Sequence, residues 1–133
     1  MKLVLDTGIL MLILKGDPAI RDVIEALRRG AKAYTATINM AELYYKTEEK
    51  LGRQVAITWL NRLVRPRNLV IFPVNIELAR RAGEFKAKYR RNISLVDAVI
   101  VALAEKQGGR LLTTDKRLGV VEEIAVRIYE IAR

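Results

Sequence analysis

A chain of 133 residues, 51% apolar and 29% charged, suits one globular domain that buries a core without staples; it is neither disordered nor fibrous in composition. Its 24 Lys and Arg outweigh 15 Asp and Glu, giving +9, a balance that favours polyanionic partners and that a thermophile-like surface would also produce. The absence of cysteine and histidine excludes disulfides, thiolate nucleophiles, zinc ribbons and imidazole catalysis, so hydrolysis would fall to carboxylates holding a hard cation, or to Ser, Thr or Lys nucleophiles.

Lys2 to Leu5 is short and branched and predicts a buried strand, which runs into Asp6-Thr7-Gly8 and a short buried helix over Ile9 to Leu14. That apolar run is too short to span a bilayer and lacks a signal-peptide pattern, so no membrane partner and a cytoplasmic location are expected. Pro18 after Asp17 opens a helix with the stripe Ile20, Val23, Ile24 and Leu27, stopped by Gly30. Ala33 to Thr35 reads as a second strand. Helical patterns follow from about Asn39 and through Val55, Trp59, Leu60 and Leu63 to Pro66, which together predict a helical hairpin. Leu69 to Val74 is a third strand candidate, with Pro73 at its end or edge. A helix carrying Leu78, Ala82, Phe85 and Tyr89 comes next, closed by a basic run over Lys86 to Arg91. Leu95 to Ala104 is apolar almost all round and predicts a central helix ended by Gly108-Gly109. Arg110 to Thr113 is a fourth strand, Asp115 opens a short helix, and Ala125 to Ile131 is a closing strand. Alternating strands and helices predict an α/β fold, a three-layer α/β/α sandwich around a mainly parallel sheet of roughly five strands, over one domain spanning 1–133.

Four carboxylates interrupt apolar runs: Asp6, Glu42, Asp97 and Asp115. An isolated buried carboxylate costs several kcal/mol unless donors, cations or a metal compensate it. Each has a local explanation, since Asn39-x-x-Glu42 and Ser94-x-x-Asp97 have capping-box spacing and Asp115 can cap a helix. Taken together they point to one crevice at the carboxyl ends of the strands, where oxygen ligands would suit Mg²⁺ or Mn²⁺.

In this order the residues resemble the PIN domain family and its VapC-type toxin ribonucleases. The resemblance rests on Leu3-Val4-Leu5-Asp6-Thr7-Gly8, Asn39-Met40-Ala41-Glu42-Leu43, Ser94-Leu95-Val96-Asp97-Ala98 and Leu111-Leu112-Thr113-Thr114-Asp115, and covers essentially the whole chain. It implies a Mg²⁺- or Mn²⁺-dependent endoribonuclease whose metal-binding and catalytic group is Asp6, Glu42, Asp97 and Asp115, with Thr7 and Thr113 as small polar residues beside it. It also implies a homodimer and inhibition by a cognate antitoxin. Where many relatives carry an aromatic after the last acid, this chain has Lys116-Arg117-Leu118. The Tyr44-Tyr45 pair and the Trp59 stripe would serve either a partner contact or the core of the hairpin.

Lys86, Lys88, Arg90 and Arg91 before the central helix, with Lys116 and Arg117 after Asp115, are candidates for steering RNA to an acidic pocket; solubility and helix-dipole roles explain such residues equally. A phosphorylated receiver domain needs an acid pair after the first strand and a phosphoacceptor after the third, and Phe72-Pro73-Val74-Asn75 supplies none. An Asp-x-Asp phosphatase fails at Gly8. An RNA-processing nuclease without antitoxin, or a non-catalytic RNA- or partner-binding module, remains open on these residues.

Overall fold

A computed structural model describes residues 2–131, so Met1, Ala132 and Arg133 of the expected 1–133 domain lie outside the described residues. Strands β1 (Leu3–Leu5), β2 (Ala33–Ala36), β3 (Leu69–Phe72), β4 (Arg110–Thr113) and β5 (Ala125–Ile128) form one sheet in the order β3-β2-β1-β4-β5. Every pairing is parallel, with Leu3 against Ala33 and Arg110, and Ala33 against Leu69. The chain builds outward from β1 in both directions, so the strand order reverses beside β1, the place where α/β sheets open a ligand crevice.

Alternation within the strands dresses both faces. Val4, Tyr34, Ala36 and Leu111 pack against helices α5 (Ile76–Tyr89) and α6 (Leu95–Gln107). Leu5, Ala33 and Leu112 face the other way, onto α1 (Thr7–Lys15), α2 (Arg21–Arg28), α3 (Thr37–Leu51) and α4 (Arg53–Val64). The expected three-layer sandwich with a five-stranded parallel sheet is thus the observed fold. Helix α6 is buried continuously from Asp97 to Ala104, and each of its large apolar side chains contributes about 1.5–3 kcal/mol by leaving water. The α3–α4 hairpin turns at Gly52, whose φ of 88° with ψ of 167° is a conformation open essentially to glycine alone. Half-buried Trp59 and Leu60 join the core beneath the hairpin, Tyr44 bonds Glu48, and Tyr45 stays exposed.

Several local expectations shift. The helix expected from Pro18 is a 3₁₀ turn over Pro18–Ile20 capped by Asp17, followed by α2, although the stripe of Ile20, Val23, Ile24 and Leu27 faces the core as its spacing requires. β3 stops at Phe72, before Pro73 removes a ladder donor, and β5 stops at Ile128. Helix α3 begins at Thr37 after Ala36 with no side-chain cap. Asn39 is therefore no N-cap, and Glu42 lies in the second turn. Among the described residues no helix is long and apolar enough to cross a membrane.

Candidate active site

Asp6 is the first residue beyond the central strand and the last before α1. Its backbone is extended, and its Oδ1 accepts the Thr7 N–H at 2.7 Å as the cap of α1. That position, 6% exposed, follows from the local sequence: an apolar strand buried on both sides must turn directly into an apolar helix. From the adjacent strand β4 the Thr113 hydroxyl donates to Asp6 Oδ2 at 2.6 Å, and the same hydroxyl oxygen accepts the Asp115 N–H at 3.0 Å. Thr113 is completely buried and joins two of the four acids.

Asp97 is the third residue of α6. Its side chain accepts the Ser94 N–H at 3.0 Å while Ser94 Oγ accepts the Asp97 N–H at 3.1 Å, a complete capping box. Asp115 caps the 3₁₀ turn Lys116–Val120 through the Arg117 N–H. Asp6, Glu42, Asp97 and Asp115 nevertheless line one cavity of about 300 Å³, together with Thr7, Gly8, Met11, Lys46, Ser94, Thr114 and Arg117. Capping and convergence are one arrangement here, because helices starting at the carboxyl edge of a parallel sheet bring their first turns to the same place.

Burial pushes the Asp6 carboxyl up to about 6, and the negative charges of Asp97 and Glu42 push the same way against the bonds from Thr113 and Thr7. Arg117 holds Asp115 below the usual carboxylate range. Its Nε and Nη2 reach Asp115 Oδ1 and Oδ2 at 3.1 and 2.8 Å. Glu42 has Lys46 at 3.8 Å. With these partners in place, no three acidic side chains among the described residues stand close enough to share one ion. The donor set is nevertheless all oxygen and its charges crowd one another, the chemistry a hard divalent cation relieves. Glu42 and Asp115 are the two of the four that pair with cationic side chains, Lys46 and Arg117.

Thr7 Oγ1 accepts from Asn39 Nδ2 at 3.0 Å, whereas the buried Asn39 Oδ1 has no hydrogen-bond partner. Of the six expected RNA-steering residues, only Arg117 lines the cavity. Lys86 donates to the carbonyls of Arg90 and Ile93 and so ties the α5–α6 connection, and Lys88 pairs with Glu123. Arg90 turns back to Ala87 O, Arg91 is exposed, and Lys116 lies 3.9 Å from Glu130. Sequence reasoning missed Lys46, although it lies one helical turn after Glu42, the spacing of an ion pair. It also left Asn39 a capping role as the alternative for Glu42, although the row Asn39, Leu43, Thr47 marks the buried side of α3.

A profile of the PIN domain family matches residues 3–124. Among solved structures, VapBC2 of Rickettsia felis, bound to a DNA fragment from its promoter, superposes with a TM-score of 0.78 at 18% identity, covering 98% of this chain and 100% of that one. A toxin–antitoxin complex from Klebsiella pneumoniae gives 0.72 at 21% identity over 97% and 99%. VapC20 of Mycobacterium tuberculosis, a sarcin–ricin loop cleaving toxin, gives 0.66 at 18% identity over 82% and 86%. Identities this low speak for the fold alone. No curated protein matches the sequence.

Proposed function

The chain belongs to the PIN domain family, and from that premise we propose that residues 1–133 act as a Mg²⁺- or Mn²⁺-dependent endoribonuclease, the toxin of a toxin–antitoxin pair. The observation that carries this reading is the meeting of Asp6, Glu42, Asp97 and Asp115, from four separate segments, in one cavity where the strand order reverses. Asp6, Glu42, Asp97 and Asp115 would hold the metal once Lys46 releases Glu42 and Arg117 releases Asp115. A bound divalent ion would supply an activated water and a Lewis acid for the phosphodiester. The chain's own contributions are positional. Thr113 fixes the Asp6 carboxylate, the Ser94 box fixes Asp97, and Thr7 anchors the start of α1 to Asn39. Lys46 and Arg117 bring positive charge to an otherwise repulsive pocket, where an RNA phosphate would need it.

One structure of similar fold is a toxin–antitoxin complex, and two apolar grooves here have the character such partners require. One, between α3, α5 and α6, is lined by Ile38, Ala41, Val74, Leu95 and Val99, with Leu95 61% exposed, and would receive a second copy of the chain. The other, formed by Ile13, Leu14, Ile24, Leu27 and Leu63 beneath Arg28 and Arg62, would receive an apolar antitoxin segment with acidic flanks.

The test is cleavage of a panel of single-stranded and structured RNAs with Mn²⁺, Mg²⁺ or EDTA, beside an Asp6→Asn, Asp97→Asn variant. Metal-dependent cutting absent from the variant supports the nuclease. Equal inactivity with retained RNA binding replaces it with a binding module, and cleavage by a protein that no antitoxin restrains points to RNA processing.

A further inference from the structure

The acidic cavity occupies the carboxyl edge of the sheet, and nearly all of the chain's excess positive charge sits at the opposite edge. Four of the five strands are entered from a basic segment: Lys2 precedes β1, Arg28-Arg29-Gly30-Ala31-Lys32 leads to β2, Arg65-Pro66-Arg67-Asn68 to β3, and Lys106-Gln107-Gly108-Gly109-Arg110 into β4. These segments hold eight Lys and Arg and no acid, against a net charge of +9 for the whole chain. Among the described residues only Lys106 has an ion-pair partner, Glu77 at 3.6 Å. The other seven have none.

Backbone bonds weld the segments into one platform. The Arg110 N–H donates to Lys2 O at 2.9 Å, the Leu3 N–H to Lys32 O at 3.3 Å and the Ala33 N–H to Asn68 O at 2.8 Å. The Asn68 amide reaches both Leu27 O and Ala31 O at 2.9 Å. Four neighbouring strands spaced about 4.8 Å apart thus carry a basic row about 14 Å wide, with the ammonium groups of Lys2 and Lys32 flanking the Tyr34 ring at 5.6 and 5.8 Å. Unpaired like charges held at fixed spacing repel one another, a cost that a polyanion removes.

We propose that this edge is a second nucleic-acid surface, which binds the phosphate backbone of RNA remote from the acidic cavity; the choice of RNA rests on the ribonuclease reading. An RNA long enough to reach both edges gains affinity from the basic row, while a short one held only at the cavity does not. Contacts to the phosphate backbone make this binding independent of sequence and steeply dependent on salt.

The test measures binding of a fluorescent 30-nucleotide RNA in EDTA across a salt series. Wild type is compared with Arg28→Gln/Arg29→Gln/Lys32→Gln, with Arg65→Gln/Arg67→Gln, and with Lys50→Gln/Arg53→Gln, an exposed control pair at the α3–α4 turn. Melting temperatures verify that each variant folds. Each edge variant is expected to bind roughly tenfold more weakly at low salt, with a log–log salt slope shallower by about 0.7 for each phosphate no longer neutralised, and the control to match wild type. Unchanged affinity in both edge variants, equal weakening in the control, or binding of polyglutamate but not RNA through the same residues would each overturn the proposal. Cleavage is scored separately. A wild type that cuts no RNA but loses binding with the edge variants sinks the nuclease reading and leaves the surface. A wild type that cuts, with edge variants that bind as it does, sinks the surface alone.

Discussion

Replacing Asp6 by Asn tests whether a carboxyl is buried beside other acids at the first strand's end. Asp6 has an ordinary carboxyl value of 3.8 and stands at about 6 in the folded protein. A carboxyl group raised on folding binds its proton more tightly in the native state, so its contribution to stability is complete below about pH 4 and is lost as pH rises through 6. The gap between 3.8 and about 6 corresponds to about 3 kcal/mol. For a domain of this size that is roughly 10 °C in melting temperature. Thermal or urea unfolding in EDTA, run from pH 4 to 8 on wild type and Asp6→Asn, isolates the effect because every other titrating group is common to both. Wild type should fall relative to the variant by about that amount between pH 4 and 7 and then run parallel to it. Mn²⁺ at pH 8 should restore the loss in wild type and not in the variant. Parallel curves over the whole range would show that Asp6 is solvated or compensated, and its burial as an unneutralised acid would be wrong.

Arg117→Ala should tighten Mn²⁺ binding measured by calorimetry roughly fivefold, because an exposed guanidinium no longer competes for Asp115; the gain should vanish in an Asp115→Asn background, and unaltered affinity would show that the ion pair does not oppose the metal. Thr7→Val leaves the Asn39 amide with no partner and should cost about 1–3 kcal/mol in urea unfolding, most of it recovered by adding Asn39→Leu. Gly109→Ala places a Cβ 2.8 Å from the Lys2 carbonyl oxygen in the β1–β4 contact and should lower stability by about 1–3 kcal/mol, whereas free accommodation would mean that the two strands sit farther apart.

The layers were legible because each strand's apolar pattern and each helix's stripe point to the same sheet, as Val4 and Leu5 or Leu111 and Leu112 do by facing opposite cores. The acids were legible for a simpler reason: a carboxylate within an apolar run needs an explanation wherever it occurs. Caps and cluster looked like rival explanations in sequence, yet Asp97 and Asp115 satisfy both, since helix starts converge at one edge of a parallel sheet. What stayed hidden depended on where side chains turn. Asp115 could be read as an acid at a strand end, but the turn of Arg117 back onto it is a rotameric outcome. Lys86 and Lys88 stand in a basic run, and only packing reveals that they serve carbonyls and Glu123. The basic platform escaped because its parts are three short loops and one lysine, scattered over more than a hundred positions.

The bond from Thr113 to Asp6 joins residues 107 positions apart, and β1 lies between β2 and β4. During synthesis the first strand therefore emerges early and waits, with Asp6 lacking its partner, until β4 has left the ribosome. A chain interrupted before Thr113 has no route to the finished pocket, whatever its other elements have formed. For the toxin proposed above, whose activity would endanger the RNA of its own cell, that order of assembly withholds a working site from incomplete copies, and it leaves an interval in which a partner already waiting could reach the chain first.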